Sequence, residues 1–239
     1  MLPITSAVVF VWGAVEQVTA ALGSRSWAPI WASNGGTSLE ESLWRLEPLS
    51  TPHVRKRLLV PTRVESVTAV FEDALDGAST ASTVQFATLG LEAVGVESTP
   101  HNLRELGPSW WSGSHGYRKF SEVRLDPDSE AGYEARAIRL ITENGRRWEL
   151  GTRAIPWSAA WEPGARRVVD RFTHQHVVES AAAVGLRPFD EDFYDPSGAV
   201  LLEHLRDTYE GERWGTLAMA QGREPRLLRS YLTDPPPPR

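Results

Sequence analysis

The chain has 239 residues, with hydrophobic residues at 41%, charged residues at 23% and aromatics at 9%, which excludes intrinsic disorder and allows a sizeable core. With 25 Lys+Arg against 31 Asp+Glu the formal net charge is −6, which argues against a bulk polyanion partner. No cysteine is present, so disulfides, thiolate catalysis and Cys-ligated metal sites are all excluded.

Two biases mark the composition. All but two of the basic residues, Lys56 and Lys119, are arginine, as a GC-rich coding sequence would give. Ten tryptophans are present, five of them (Trp110, Trp111, Trp148, Trp157 and Trp161) within about fifty residues.

The opening apolar run, residues 7–15, has no basic residue before it and is interrupted by Glu16 and Gln17. It is too short for a bilayer span and lacks the basic start of a signal peptide. It reads as a buried element, a helix reaching Leu22 and stopped by Gly23, and the expected location is cytoplasmic. Residues 24–37 read as a loop around Pro29, Asn34, Gly35 and Gly36. Ser38 and Glu41 match a capping box, which predicts a short helix ending before Pro48. Pro48, Pro52 and Pro61 frame the basic cluster His53, Arg55, Lys56 and Arg57, which reads as a solvated surface loop.

Val64, Val67, Ala69, Val70 and Phe71 predict a strand, and the spacing of Val84, Ala87, Leu91 and Val94 predicts a helix over 81–94 stopped by Gly95. A further extended segment from Val96 would complete a β-α-β unit, with no glycine-rich fingerprint for a nucleotide. Residues 100–116 read as an irregular aromatic loop, and residues 117–125 as a strand. Asn144-Gly145 between β-rich runs predicts a hairpin. Beyond it, residues 165–172 turn helical and Thr173 caps a helix to Val184, closed by Gly185. An acidic-aromatic turn spans 188–196, a further helix is expected over 198–209, and Pro235–Pro238 read as a frayed polyproline stretch.

These elements predict a single α+β domain over 1–234, a mainly antiparallel central sheet with helices flanking it at both chain ends, and a disordered tail over 235–239.

The chemistry-bearing patterns are sparse. His174 and His176 stand two apart on the expected helix and cannot share a metal, whereas His176 and Glu179 share a face. Asp190, Glu191, Asp192 and Asp195 offer hard oxygen ligands but read more simply as a solvated turn, so no metal and no cofactor is expected. No nucleophile elbow occurs, and Ser112 and Ser114 beside His115 are only sequence neighbours.

Trp, Tyr and Arg dominate binding hot spots because they bury large areas with few rotatable bonds. The candidate interface is therefore Trp110, Trp111, Tyr117 and Arg118, with Asp190, Asp192 and Tyr194 as a patch suited to a basic partner. The leading expectation is a non-enzymatic acidic interaction protein, immunity- or adaptor-like in composition as some bacterial proteins are, binding another protein and no membrane. Two alternatives stand behind it. One is a hydrolase, metal-assisted or not, using His101, His115, His174 or His176 with acidic residues; the other is nucleic-acid binding through the 53–57 loop.

Overall fold

The computed structural model describes residues 7–51, 54–74, 80–101, 104–107, 110–112, 116–143, 147–204, 213–220 and 227–229. The first half of the chain forms β1 (Ala7–Trp12), α1 (Val15–Gly23), β2 (Trp27–Ala32), α2 (Leu39–Trp44), β3 (Leu49–Thr51), β4 (Lys56–Pro61), β5 (Val67–Glu72), α3 (Thr80–Thr88), β6 (Ala93–Thr99), β7 (Arg104–Gly107) and β8 (Trp110–Ser112). The second half forms β9 (Tyr117–Leu125), β10 (Tyr133–Glu143), β11 (Arg147–Arg153), α4 (Val168–Arg171), α5 (His174–Ala183), β12 (Val200–His204), β13 (Arg213–Gly215), α6 (Leu217–Ala220) and β14 (Leu227–Arg229).

Nine of the strands form one antiparallel sheet in the order β11-β10-β9-β6-β1-β5-β4-β12-β2. The described fold is therefore mostly sheet with a few helices, a stronger β bias than expected. β3 pairs with β13, and β7, β8 and β14 form a third small sheet. Among the described residues no helix is long and apolar enough to cross a membrane.

Two hydrophobic clusters lie on opposite faces of the large sheet, because successive residues of a strand alternate sides. Val8 and Phe10 join Leu58, Phe71, Phe120 and Leu140 beneath α2 and α5; Val9 and Val11 join Leu59, Val70 and Phe86 beneath α1 and α3. Burial on both sides explains why residues 7–12 are apolar without alternation. That run was expected as helix and is the central strand β1; the helix begins only at Val15, after Gly13 donates its amide to Ser66 O. Within the helix expected over 198–209, residues 200–204 form β12 for the same reason, Leu201 facing one cluster and Leu202 the other, and residues 205–209 lie outside the described set.

Three further expectations are corrected. The stretch 24–37 contains the edge strand β2. The proline-framed loop holds the interior strand β4, with Arg57 only 3% exposed. The aromatic loop 100–116 contains the short strands β7 and β8. The hairpin expected around Asn144-Gly145 is present as β10 and β11 closing at Glu143 and Arg147, with residues 144–146 outside the described set. Residues 235–239 also lie outside it.

The expected β-α-β unit exists in split form. β5 and β6 flank β1, each antiparallel to it, and α3 crosses between them. The helix stops at Thr88, with Gly90 at φ +76°, and not at Gly95, which lies within β6. Gly95 instead permits a close approach, since a Cβ there would stand 2.6 Å from Ser121 Oγ and 3.1 Å from Thr83 Cγ2. Gly95→Val should lift α3 from the sheet and cost ~1–3 kcal/mol in urea unfolding; an unchanged midpoint would show that α3 seats without that contact.

Candidate functional site

The acidic-aromatic turn sets exposed carboxylates on two adjacent buried aromatic anchors. Phe193 and Tyr194 are each 2% exposed. Phe193 packs 6.0 Å from the Phe10 ring, and Tyr194 packs 5.5 Å from Phe71. The Tyr194 hydroxyl donates to Pro188 O at 2.7 Å, and burial raises its pKa well above the ordinary phenol value. Tyr194, placed in the interface by its residue type, is thus an anchor of the turn within the core. The backbone is fixed by Arg63 N donating to Phe193 O and Asp195 N donating to Pro61 O, both at 2.8 Å. A hydrogen bond from the Ser197 side chain, and one from its amide, hold the Asp195 carboxyl below the usual range.

Asp190, Glu191 and Asp192 stay exposed at the tip. Arg187 Nη1 reaches Asp190 at 3.2 Å and Asp192 at 3.8 Å, across side chains too solvated for these pairs to contribute much. Arg63 Nε donates to Asp192 O, leaving that carboxylate outward. Four carboxylates, with Asp195, face two guanidinium groups, so the turn is acidic.

Tyr117 and Arg118 enter β9 side by side and therefore point to opposite faces of the sheet. Arg118 lies on the α5 side, opposite Ser98 of β6 and Leu140 of β10. Its Nη1 donates to Phe172 O and Val169 O, and its guanidinium stands 5.1 Å from the Trp148 ring centroid. Burial lowers its pKa, and Asp170 opposes the shift. Tyr117 is half-buried on the other face, where burial and then Glu97 push its hydroxyl far above the ordinary phenol range. Trp110 and Trp111 pair with β14 and β7 through β8, and their side chains lie outside those described.

His174 joins Arg118 to the acidic turn. Its ring packs tilted, 4.7 Å from Phe189 at the start of the turn, and its Nδ1 shares a 2.9 Å hydrogen bond with Ser98 Oγ, the neighbour of Arg118 across the strands. Partial burial, then Arg118, lower its pKa and favour the neutral ring. Ser98 and Phe189 carry no sequence signal for this role, since strand pairing and helix packing bring them together. His176 caps α5 by accepting from Thr173 N at 3.2 Å. His101 accepts from Gly116 N at 3.3 Å beside Trp148. Among the described residues none of these three rings reaches a carboxylate within hydrogen-bond distance, and no group of three His, Asp or Glu is placed to hold a metal. His115 lies outside the described residues.

A second cluster, unsuspected from the sequence, runs across the α3 face. Arg57 pairs with Glu72, Glu97 with Lys119 and Lys119 with Arg139 across neighbouring strands; Ala7, opposite Glu97, completes the row. Glu72 accepts from Arg57 Nε at 2.9 Å and from Ser82 Oγ at 2.7 Å. Arg57 lies 4.4 Å over Trp27 and 5.6 Å over Phe86, with its Nη1 buried and unpartnered. Lys119 is 4% exposed; burial lowers its pKa against the pull of Glu97 and Glu72, and the same burial closes it to ligands. The row is a charge ladder, buried from Arg57 to Lys119 and reaching solvent at Arg139, that seats α3. It also removes Arg57 from the basic patch expected at 53–57, while Lys56 Nζ donates to Glu47 O at 2.6 Å. His53 lies outside the described residues.

Comparison with known proteins finds no matching family model, no matching curated protein and no matching solved structure.

Proposed function

We propose that the protein acts in the cytoplasm by binding a basic protein partner, through a surface centred on the turn that presents Asp190, Glu191 and Asp192 and extending across Phe189 and His174 toward Arg118. The observation that carries this reading is the pairing of exposed carboxylates with buried anchors: Phe193 and Tyr194 fix the turn before any partner arrives. A preformed loop avoids the ordering cost of binding, and clustered charge raises the association rate for a complementary surface.

The test begins with the protein isolated from its native source and any partner that co-purifies stoichiometrically. Asp190→Asn with Asp192→Asn should then slow association by about tenfold at low salt and flatten its salt dependence. A partner whose association ignores both substitutions, or the lack of any stoichiometric partner, defeats the reading.

Hydrolysis keeps one supporting observation, the Ser98–His174 pair at 2.9 Å. It predicts ester turnover that Ser98→Ala abolishes. The binding reading predicts that any turnover of an activated aryl ester is the same in wild type and Ser98→Ala.

A further inference from the structure

At the far end of the sheet from Ser98, a cleft of about 310 Å³ opens between β1, β6 and β9 and the C-terminal end of α5. Trp12, Val94 and Glu122 line it from the sheet, Val184 from the helix end, and Glu92 and Arg124 complete the lining. Its volume sits at the small end of the roughly 300–1,000 Å³ typical of ligand sites. Strand register puts it together: Val94 lies opposite Glu122 and Ala93 opposite Val123, so Glu92 continues the pairing toward Arg124.

The polar groups of the cleft are held in place. Glu122 is 2% exposed, and its carboxylate accepts from Ser158 Oγ at 2.6 Å and Ser158 N at 3.2 Å, with Arg124 Nη2 at 3.9 Å. Burying a carboxylate is costly, and these contacts offset the cost while using only part of its accepting capacity. Glu92 accepts from Leu125 N through Oε1 at 3.2 Å. The Arg124 guanidinium stands 4.2 Å from the Trp157 centroid, and Arg136 stacks on the same indole at 4.3 Å. This cation–π contact restrains Arg124, and none of its guanidinium N–H donors is engaged in a hydrogen bond among the described residues.

We propose that this cleft binds a neutral polyhydroxylated ring the size of one sugar or cyclic polyol. An anion would meet Glu92 and Glu122, and an amine, drawn by the two carboxylates, would still leave the Arg124 guanidinium without an acceptor. A hydroxyl group can donate to the carboxylates and accept from the guanidinium, while the C–H face of such a ring covers the Trp12 indole. The cleft does not involve the acidic turn, so this site and the protein-binding surface stand or fall separately.

Saturation-transfer NMR and calorimetry on the full chain, with free monosaccharides, their methyl glycosides and myo-inositol, test the assignment; methylammonium and acetate serve as charged controls. At least one neutral polyol should bind saturably, and Glu92→Gln and Arg124→Met should each weaken it about tenfold or more with circular dichroism unchanged. Discrimination between free sugar and glycoside tells whether the ligand is a free ring or a terminal glycan unit. The proposal is overturned if no polyol saturates, if both variants bind like wild type, or if a charged control binds more tightly.

Discussion

Glu72→Ala should destabilise the protein by ~3–5 kcal/mol in urea unfolding, among the largest losses any single substitution can cause here. The carboxylate lies in the interior of the charge ladder, with the Arg57 and Glu72 side chains 4% and 1% exposed, and Arg57 Nη2 reaches it at 2.7 Å. Its removal leaves a guanidinium in a site built from Trp27, Phe86 and sheet backbone, and strips Ser82 Oγ of both its acceptors. Lys119 loses one of the two carboxylates that favour its charge. Replacing both partners with apolar residues, Arg57→Met with Glu72→Leu, should recover most of the loss, because the penalty comes from the orphaned charge more than from the missing attraction. A single-variant loss well below this range, or a double variant no better than Glu72→Ala, would mean the pair is solvated in the folded chain.

Asp73→Asn should raise stability at pH 7 by up to ~3 kcal/mol and remove a slope from the stability profile between pH 3.8 and 6. Burial raises the Asp73 carboxyl to about 6, against the opposing hydrogen bonds from the Arg55 and Lys56 amides. A raised carboxyl pKa means that the folded chain holds its proton more tightly than the unfolded chain. The stabilisation from this group is complete below pH 3.8, shrinks as pH climbs toward 6, and is lost above it. Asparagine keeps the oxygen that accepts from Arg55 N and has no charge to bury, while its NH2 group cannot accept from the Lys56 amide, which holds the gain below that ceiling. Urea midpoints of wild type and variant across pH 3.5–8 measure the effect, and a difference that stays constant with pH would remove Asp73 as its source.

Both predictions concern residues that no local pattern marks. Arg57 reads in the sequence as one cation of a surface cluster, and Glu72 and Asp73 as the acidic end of a strand before a turn. Their burial follows from β4 and β5 lying in the interior of a nine-stranded sheet beneath α1 and α3, which is a consequence of strand order. The same holds for the residues of the candidate site. The exposure of Asp190 and Asp192 was legible because charge at a turn stays in solvent, whereas Tyr194 packs inward beside Phe193 and Ser98, seventy-six positions from His174, has no sequence link to it.

The sequence by itself determined what short-range chemistry decides. The Ser38 and Glu41 capping box, the Thr173 cap before α5, the positive-φ stop at Gly185 and the β10–β11 hairpin all occur where residues within a few positions satisfy one another. It also excluded thiol and disulfide chemistry through composition alone. Only the tertiary structure decided that residues 7–12 and 200–204 are strands, since burial on both faces erases the alternation that marks a strand. Only pairing register could set Arg57, Glu72, Glu97, Lys119 and Arg139 in one row, or Glu92 and Glu122 around one cleft. The net charge of −6 gave the sign of the surface, and the fold decided which charges face solvent and which hold the interior together.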